Sequence, residues 1–245
     1  MKNICIIASA ALIIMILGIT AAGKGSRITQ EAISDKRALA FANTVILDAG
    51  HGGEDGGAVA ADGTPEKDLN LLIANGIAAY FELFGIPYIP VRTDDVSVGD
   101  KGLQTVRDRK RSDIRNRFAL ICDTSDAVFL SIHQNMFSES KYNGTQVFYS
   151  ANTPSSKALA EHIQNTVRSF LQPDNTRKTK PSDDRVYLLY NAPTTAVMVE
   201  CGFLSNEKEL SLLKTQDYRS QIGYCIYKGL LSFLLTEGDT NGAES

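Results

Sequence analysis

Three short apolar runs, each leading into a side chain able to do chemistry, constrain this chain more than any other feature. Thr44-Val45-Ile46-Leu47 opens into the glycine-rich Asp48-Ala49-Gly50-His51-Gly52-Gly53. Ala127-Val128-Phe129-Leu130-Ser131-Ile132 ends at His133, and Ala196-Val197-Met198-Val199 ends at Glu200. Short apolar runs of this kind, bounded by turn residues, read as buried strands. Between them the period changes: Leu69, Ile73, Ile77, Tyr80 and Phe84 recur at helical spacing until Gly85 stops the pattern. Strands alternating with helices predict an α/β fold of three layers, a mostly parallel twisted sheet with helices on both faces. In such sheets ligands gather outside the carboxyl ends of the strands. His51, His133 and Glu200 all fall there, and Glu66 opens the helix after the first loop, facing the same rim.

The remaining pattern fills in this frame. Thr64-Pro65-Glu66 reads as a helix start, with Thr64 as N-cap, Pro65 at the first helical position and Glu66 as a first-turn acid. Residues 86–91 form a strand whose two prolines favour an edge. Residues 93–102 are a polar loop, and residues 107–120 a helix whose first part carries six basic residues against Asp108 and Asp113. That helix is read as a solvated face, with a patch facing an anionic substrate as the alternative. Residues 144–149 are a strand, 155–171 an amphipathic helix, 172–184 a loop, 186–190 a short strand, and 206–213 and 218–235 helices.

The organisation is one domain over residues 44–235, after a leading segment at 1–23 and a polar linker at 24–43, with a disordered tail at 236–245. Residues 4–22 run apolar and uncharged between Lys2 and Lys24, long enough to cross a bilayer. A cleaved secretory signal and a retained membrane anchor both fit, and both place the domain outside the cytoplasm. Of the cysteines, Cys5 lies in that segment, leaving Cys122, Cys201 and Cys225; an odd number argues against a disulfide framework. Buried free thiols and a single bridge both remain open. Net charge is −3, so no basic excess points to nucleic acid.

The chain has only three histidines, and two of them stand at strand ends. Two imidazoles and a carboxylate are a catalytic zinc set that leaves a fourth position for water, and a second carboxylate is then needed to take and pass a proton. His51, Glu66 and His133 fit the ligands and Glu200 the proton carrier. Each also has a plain structural reading: Glu66 serving the helix dipole, Glu200 as a buried acid beside Cys201. His162 lies mid-helix and reads as surface. Spacing alone leaves a metal site and a structural role equally open.

Four motifs go further. Val45-Ile46-Leu47-Asp48-Ala49-Gly50-His51-Gly52-Gly53, Glu66-Lys67-Asp68-Leu69-Asn70, Phe129-Leu130-Ser131-Ile132-His133-Gln134-Asn135 and Val199-Glu200-Cys201-Gly202-Phe203-Leu204-Ser205-Asn206 occur in that order. The chain resembles, over residues 44–235, the zinc N-acetylmuramoyl-L-alanine amidases. The resemblance implies a Zn²⁺ hydrolase of peptidoglycan that cuts the amide between the lactyl group of N-acetylmuramic acid and L-alanine. It implies His51, Glu66 and His133 as zinc ligands, Glu200 as catalytic acid/base, and Asn135 as a substrate contact. Ala49 stands where the family usually has proline, Gln134 where it has a small residue, and neither is expected to touch a ligand. Residues 93–111 are longer than in short members. No long acidic insertion separates His133 from Glu200, and no wall-binding repeats follow. A single catalytic domain behind a membrane segment is similar to the germination-specific amidases of spore formers, which act in spore-cortex maturation and muramic-δ-lactam formation. The alternatives are a vegetative autolysin or cell-separation amidase, a zinc carboxypeptidase-like peptidase, and an amidase activated by a protein partner.

Overall fold

The computed structural model describes residues 43–241; the apolar segment at 4–22 and the linker ahead of residue 43 lie outside them. Six strands form one sheet: β1 (Thr44–Ala49), β2 (Tyr88–Pro90), β3 (Ala127–Asn135), β4 (Gln146–Tyr149), β5 (Lys180–Pro181) and β6 (Thr195–Phe203). Their order is β2-β1-β3-β6-β4-β5. β2, β1, β3 and β6 run parallel, while β4 pairs antiparallel with β6 and parallel with β5. The prolines of residues 86–91 keep β2 short and at the edge, as expected of strands that cannot donate a full ladder.

Side-chain alternation decides what each face becomes. Val45, Leu47, Val128, Leu130, Ile132, Val197, Val199 and Cys201 point to one face and form the larger core. Helices α1 (Glu66–Phe84), α3 (Pro154–Phe170) and α6 (Gln216–Asn241) cover it. They contribute Ile73, Ile77, Phe81, Leu159, Ile163, Ile222 and Leu230. The opposite face is more thinly covered. There Ile46, Phe129, Ala196 and Met198 pack with Ile121 of α2 (Val106–Asp123) and Leu189 of α4 (Tyr187–Asn191). Helices therefore lie on both faces of a mostly parallel sheet, as the alternating pattern predicts. The helix α5 (Glu207–Leu213) follows β6, capped by Asn206, whose side chain accepts from Lys208 and Glu209.

Four local expectations need correction. Residues 186–190 are not a strand but lead into the helical turn α4; a five-residue apolar run is too short for periodicity to tell strand from helix, and here both Leu188 and Leu189 pack onto the sheet. The loop at 172–184 contains β5, which extends the sheet beyond β4. Pro65, not Thr64, is the N-cap of α1, extended and without a side-chain cap, so Glu66 is the first helical residue. The last helix continues past residue 235 to Asn241. No helix among the described residues is long and apolar enough to cross a membrane.

Candidate active site

Asp48, Ser131, His133, Met198 and Glu200 share the thinly covered face, because each is an even number of residues from Ile46, Phe129 or Ala196. Strand register sets them side by side: Asp48 opposite Ser131, and His133 opposite Glu200. The helices α2 and α4 flank the carboxyl ends, α2 supplying Asp113, Ile114 and Arg117 and α4 supplying Tyr187, Leu188 and Leu189. They border a cleft of about 390 Å³ whose lining includes His51, Glu66, His133 and Glu200.

Glu66 is the hub. Its Oε1 lies 2.9 Å from His133 Nδ1 and its Oε2 lies 3.3 Å from His51 Nε2. Ala58 N–H donates to Oε2 at 2.9 Å, and Gln134 N–H and Asn70 Nδ2 donate to Oε1 at 3.0 and 3.2 Å. The two imidazole rings stand edge to face, 5.0 Å apart. One ligand atom from each of the three residues lies within 4.8 Å of the others, a set that could hold a metal ion. Space for them is made by absent side chains: a Cβ on Gly50 would lie 2.2 Å from His133 Nε2, and one on Gly57 2.6 Å from Glu66 Oε2. His51 itself sits at φ 63°, a left-handed conformation that costs a non-glycine residue about 1–3 kcal/mol and marks functional loops.

Electrostatics follow from this geometry. Burial works against the His51 imidazolium, but the carboxylates of Asp55 and Glu66 outweigh it and raise the ring to about 9. Burial also opposes the Glu66 carboxylate, yet the two imidazoles hold it far below the usual range. Glu200 differs: burial pushes it up to about 7, and its Oε2 is buried with no hydrogen-bond partner among the described residues. Burial likewise raises the Cys201 thiol well above its ordinary value, which disqualifies it as a nucleophile.

The family model described as N-acetylmuramoyl-L-alanine amidase matches residues 45–232. The chain belongs to the N-acetylmuramoyl-L-alanine amidase family. The amidase is a peptidoglycan hydrolase. It is 34% identical over 195 residues to the germination-specific N-acetylmuramoyl-L-alanine amidase of Bacillus subtilis (strain 168), covering 80% of this chain and 81% of that one. Its fold is similar to the CwlD amidase from Clostridioides difficile, solved in complex with the GerS lipoprotein, with 40% identity and a TM-score of 0.76, over 78% of this chain and 98% of that one. The N-acetylmuramoyl-L-alanine amidase from Clostridium difficile 630 matches at 28% identity and a TM-score of 0.67, over 79% and 97% of the two chains.

Several groups that hold the amidase site together escape a reading of single residues. Asp55 Oδ2 takes His51 Nδ1 at 3.0 Å, turning Nε2 toward Glu66. The spacing His51-x-x-x-Asp55 within a glycine-rich loop was the available signal. Two buried arginines grip the loop carbonyls. Arg92 donates to the carbonyls of Ala49 at 2.8 Å and Gly50 at 3.1 Å, and Arg117 donates to that of His51 at 2.8 Å. Arg117 also pairs with Asp48 and Asp113, and Ser131 Oγ donates to Asp48 at 2.6 Å. The basic helix is thus not simply a solvated face. Gln134 touches Glu66, through its backbone N–H, while its side chain reaches Asn70. Asn135 lies past the register shift after His133 and is not part of the cleft lining. His162 is half-buried against Ser232 and Phe233, away from the site. Cys122, Cys201 and Cys225 are free, the first exposed and the others buried.

Proposed function

We propose that the chain is a zinc amidase of spore-cortex peptidoglycan, with His51, Glu66 and His133 holding the metal and Glu200 moving the proton. The observation that carries this reading is the meeting of three ligand-type side chains beside a buried carboxylate oxygen without a hydrogen-bond partner among the described residues. Two imidazole nitrogens and a carboxylate suit Zn²⁺, and the glycines at 50 and 57 keep clear the space a side chain would fill. When bound, zinc supplies a Lewis acid and makes water acidic enough to attack at neutral pH.

The chain's own residues do the rest. Asp55 keeps the Nδ1 proton of His51, so that Nε2 is the ligand atom, as carboxylate partners of metal-binding histidines do. Asn70 and the Gln134 amide hold Glu66 in its bridging pose. Glu200 accepts a proton from the attacking water and returns it to the amine of the departing L-alanine, a task suited to a group poised near neutrality. Its place on β6, opposite His133, gives that carboxylate a rigid mount.

The cortex role rests on the likeness to the germination-specific amidase of Bacillus subtilis. Such work is extracytoplasmic, and we assign to the apolar segment at 4–22 the task of delivering or tethering the domain there. The similar Clostridioides difficile amidase was solved with a lipoprotein, and a protein partner that orders the loop after β1 is the corresponding proposal here. Digestion of cortex and vegetative peptidoglycan, with mass analysis of the products, tests the reaction. Intact stem peptides with a free L-alanine amine are expected, and release of single amino acids would instead mean a peptidase.

A further inference from the structure

The helix α2 carries basic residues at 107, 109, 110, 111, 115 and 117, and they divide into two sets. Arg109 pairs with Glu54, Lys110 with Asp55, and Arg117 with Asp48 and Asp113. Arg107, Arg111 and Arg115 are exposed and form no salt bridge among the described residues. They recur at every fourth position, so they stand in one stripe along the helix. Like charges at that spacing oppose helix formation; Asp100 offsets Arg115 electrostatically without forming an ion pair with it. The stripe lines a groove of about 560 Å³ together with Lys110, Ile114 and Tyr187. Ile114 and Tyr187 also line the cleft that holds His51, Glu66, His133 and Glu200, so the groove opens into it. Tyr187 is braced there by Phe118, ring to ring at 5.3 Å.

We infer that this groove is the subsite for the peptide side of the substrate and that it selects stems bearing free carboxylates. The inference rests on the amidase reading above. A peptide leaving the scissile amide carries its acidic groups outward along its backbone, whereas the N-acetylated glycan side, with its lactyl carboxyl bound in the amide, offers no charge for guanidinium groups to take. Arginine forks match carboxylates in pairs, and Ile114 with Tyr187 supplies an apolar wall for the peptide backbone between them.

The test compares two soluble N-acetylmuramoyl-peptides, one with free side-chain and α-carboxylates and one with those groups amidated. The zinc-loaded full domain is expected to prefer the acid form about fivefold to tenfold in kcat/KM, the scale of two or three exposed ion pairs. In the double variant Arg107→Gln/Arg111→Gln that ratio should fall to about one; being a ratio, it does not depend on how much of the variant folds. Raising salt from about 0.05 to 0.5 M on the parent enzyme should shrink it in the same way. A parent without preference, or a ratio untouched by both the substitutions and salt, overturns the subsite. A parent that hydrolyses neither compound overturns the amidase reading itself.

Discussion

Glu200 is held in a state that the fold alone does not favour. Its ordinary value is 4.5 and burial brings it to about 7. The folded chain therefore binds more protons than the unfolded one between those values, and stability falls as pH rises through that window. Substituting Glu200→Gln removes this penalty. Metal-free protein carrying it is expected to be more stable than the parent at pH 8, by on the order of 2–3 kcal/mol, and equal to it near pH 4. Urea denaturation at the two pH values measures this, and equal stability at both would mean that the carboxylate is solvated. Asp55 acts through His51. Asp55→Ala should weaken zinc binding about 10- to 100-fold in competition with a chelator. Both histidines and both glutamates of the site could be read from the motifs because each lies near the carboxyl end of a strand or starts a helix. His51 stands two residues past β1, His133 and Glu200 lie toward the ends of β3 and β6, and Glu66 takes the first position of α1. Asp55, Arg92 and Arg117 could not, since their roles are contacts to backbone or ring atoms made only when distant loops meet.

At the scale of elements, the site depends on how tightly β1, β3 and α2 approach one another. Gly50 leaves no room for a methyl group beside His133. Gly50→Ala is expected to displace that ring, so that purified protein loses its zinc while keeping its circular dichroism. Arg117 lies under the loop, buried against Asp48. Arg117→Met would strand that carboxylate, at a cost of about 3–5 kcal/mol; adding Asp48→Leu should recover most of the loss in urea denaturation. The strands β1, β3 and β6 and the helices α1 and α3 were legible because their apolar spacing is long or strongly periodic. The turn α4 was not, because five apolar residues satisfy both a strand and a helix, and only its packing on Phe129 and Met198 settles the matter. The arginine grip on the first loop shows why the basic run of α2 looked like surface: charge alone does not distinguish a residue facing water from one facing carbonyls.

The domain that the described residues form is asymmetric about its sheet. Among the described residues, one face is sealed by α1, α3 and α6, and the other is covered by α2 and α4. Alternation along each strand then delivers apolar residues to the sealed face and, at the carboxyl ends, chemistry to the other. A metal bound there stabilises the folded chain over the unfolded one, by about 4 kcal/mol at a free concentration a thousand times Kd. Chelation should lower Tm reversibly, and zinc should restore it. The sheet and its two helix layers were legible in the alternation of strands and helices. Which face would carry the cleft was not, since that depends on how α2 and α4 pack against the sheet.

The division of labour at the cleft is tested most directly by one paired measurement on Glu200→Gln: zinc content by elemental analysis and the rate of L-alanine amine release from peptidoglycan. A full complement of zinc with turnover lost by several orders of magnitude is the predicted result. Turnover at the parent rate, or loss of zinc together with activity, would contradict the assignment of Glu200 as proton carrier and not ligand.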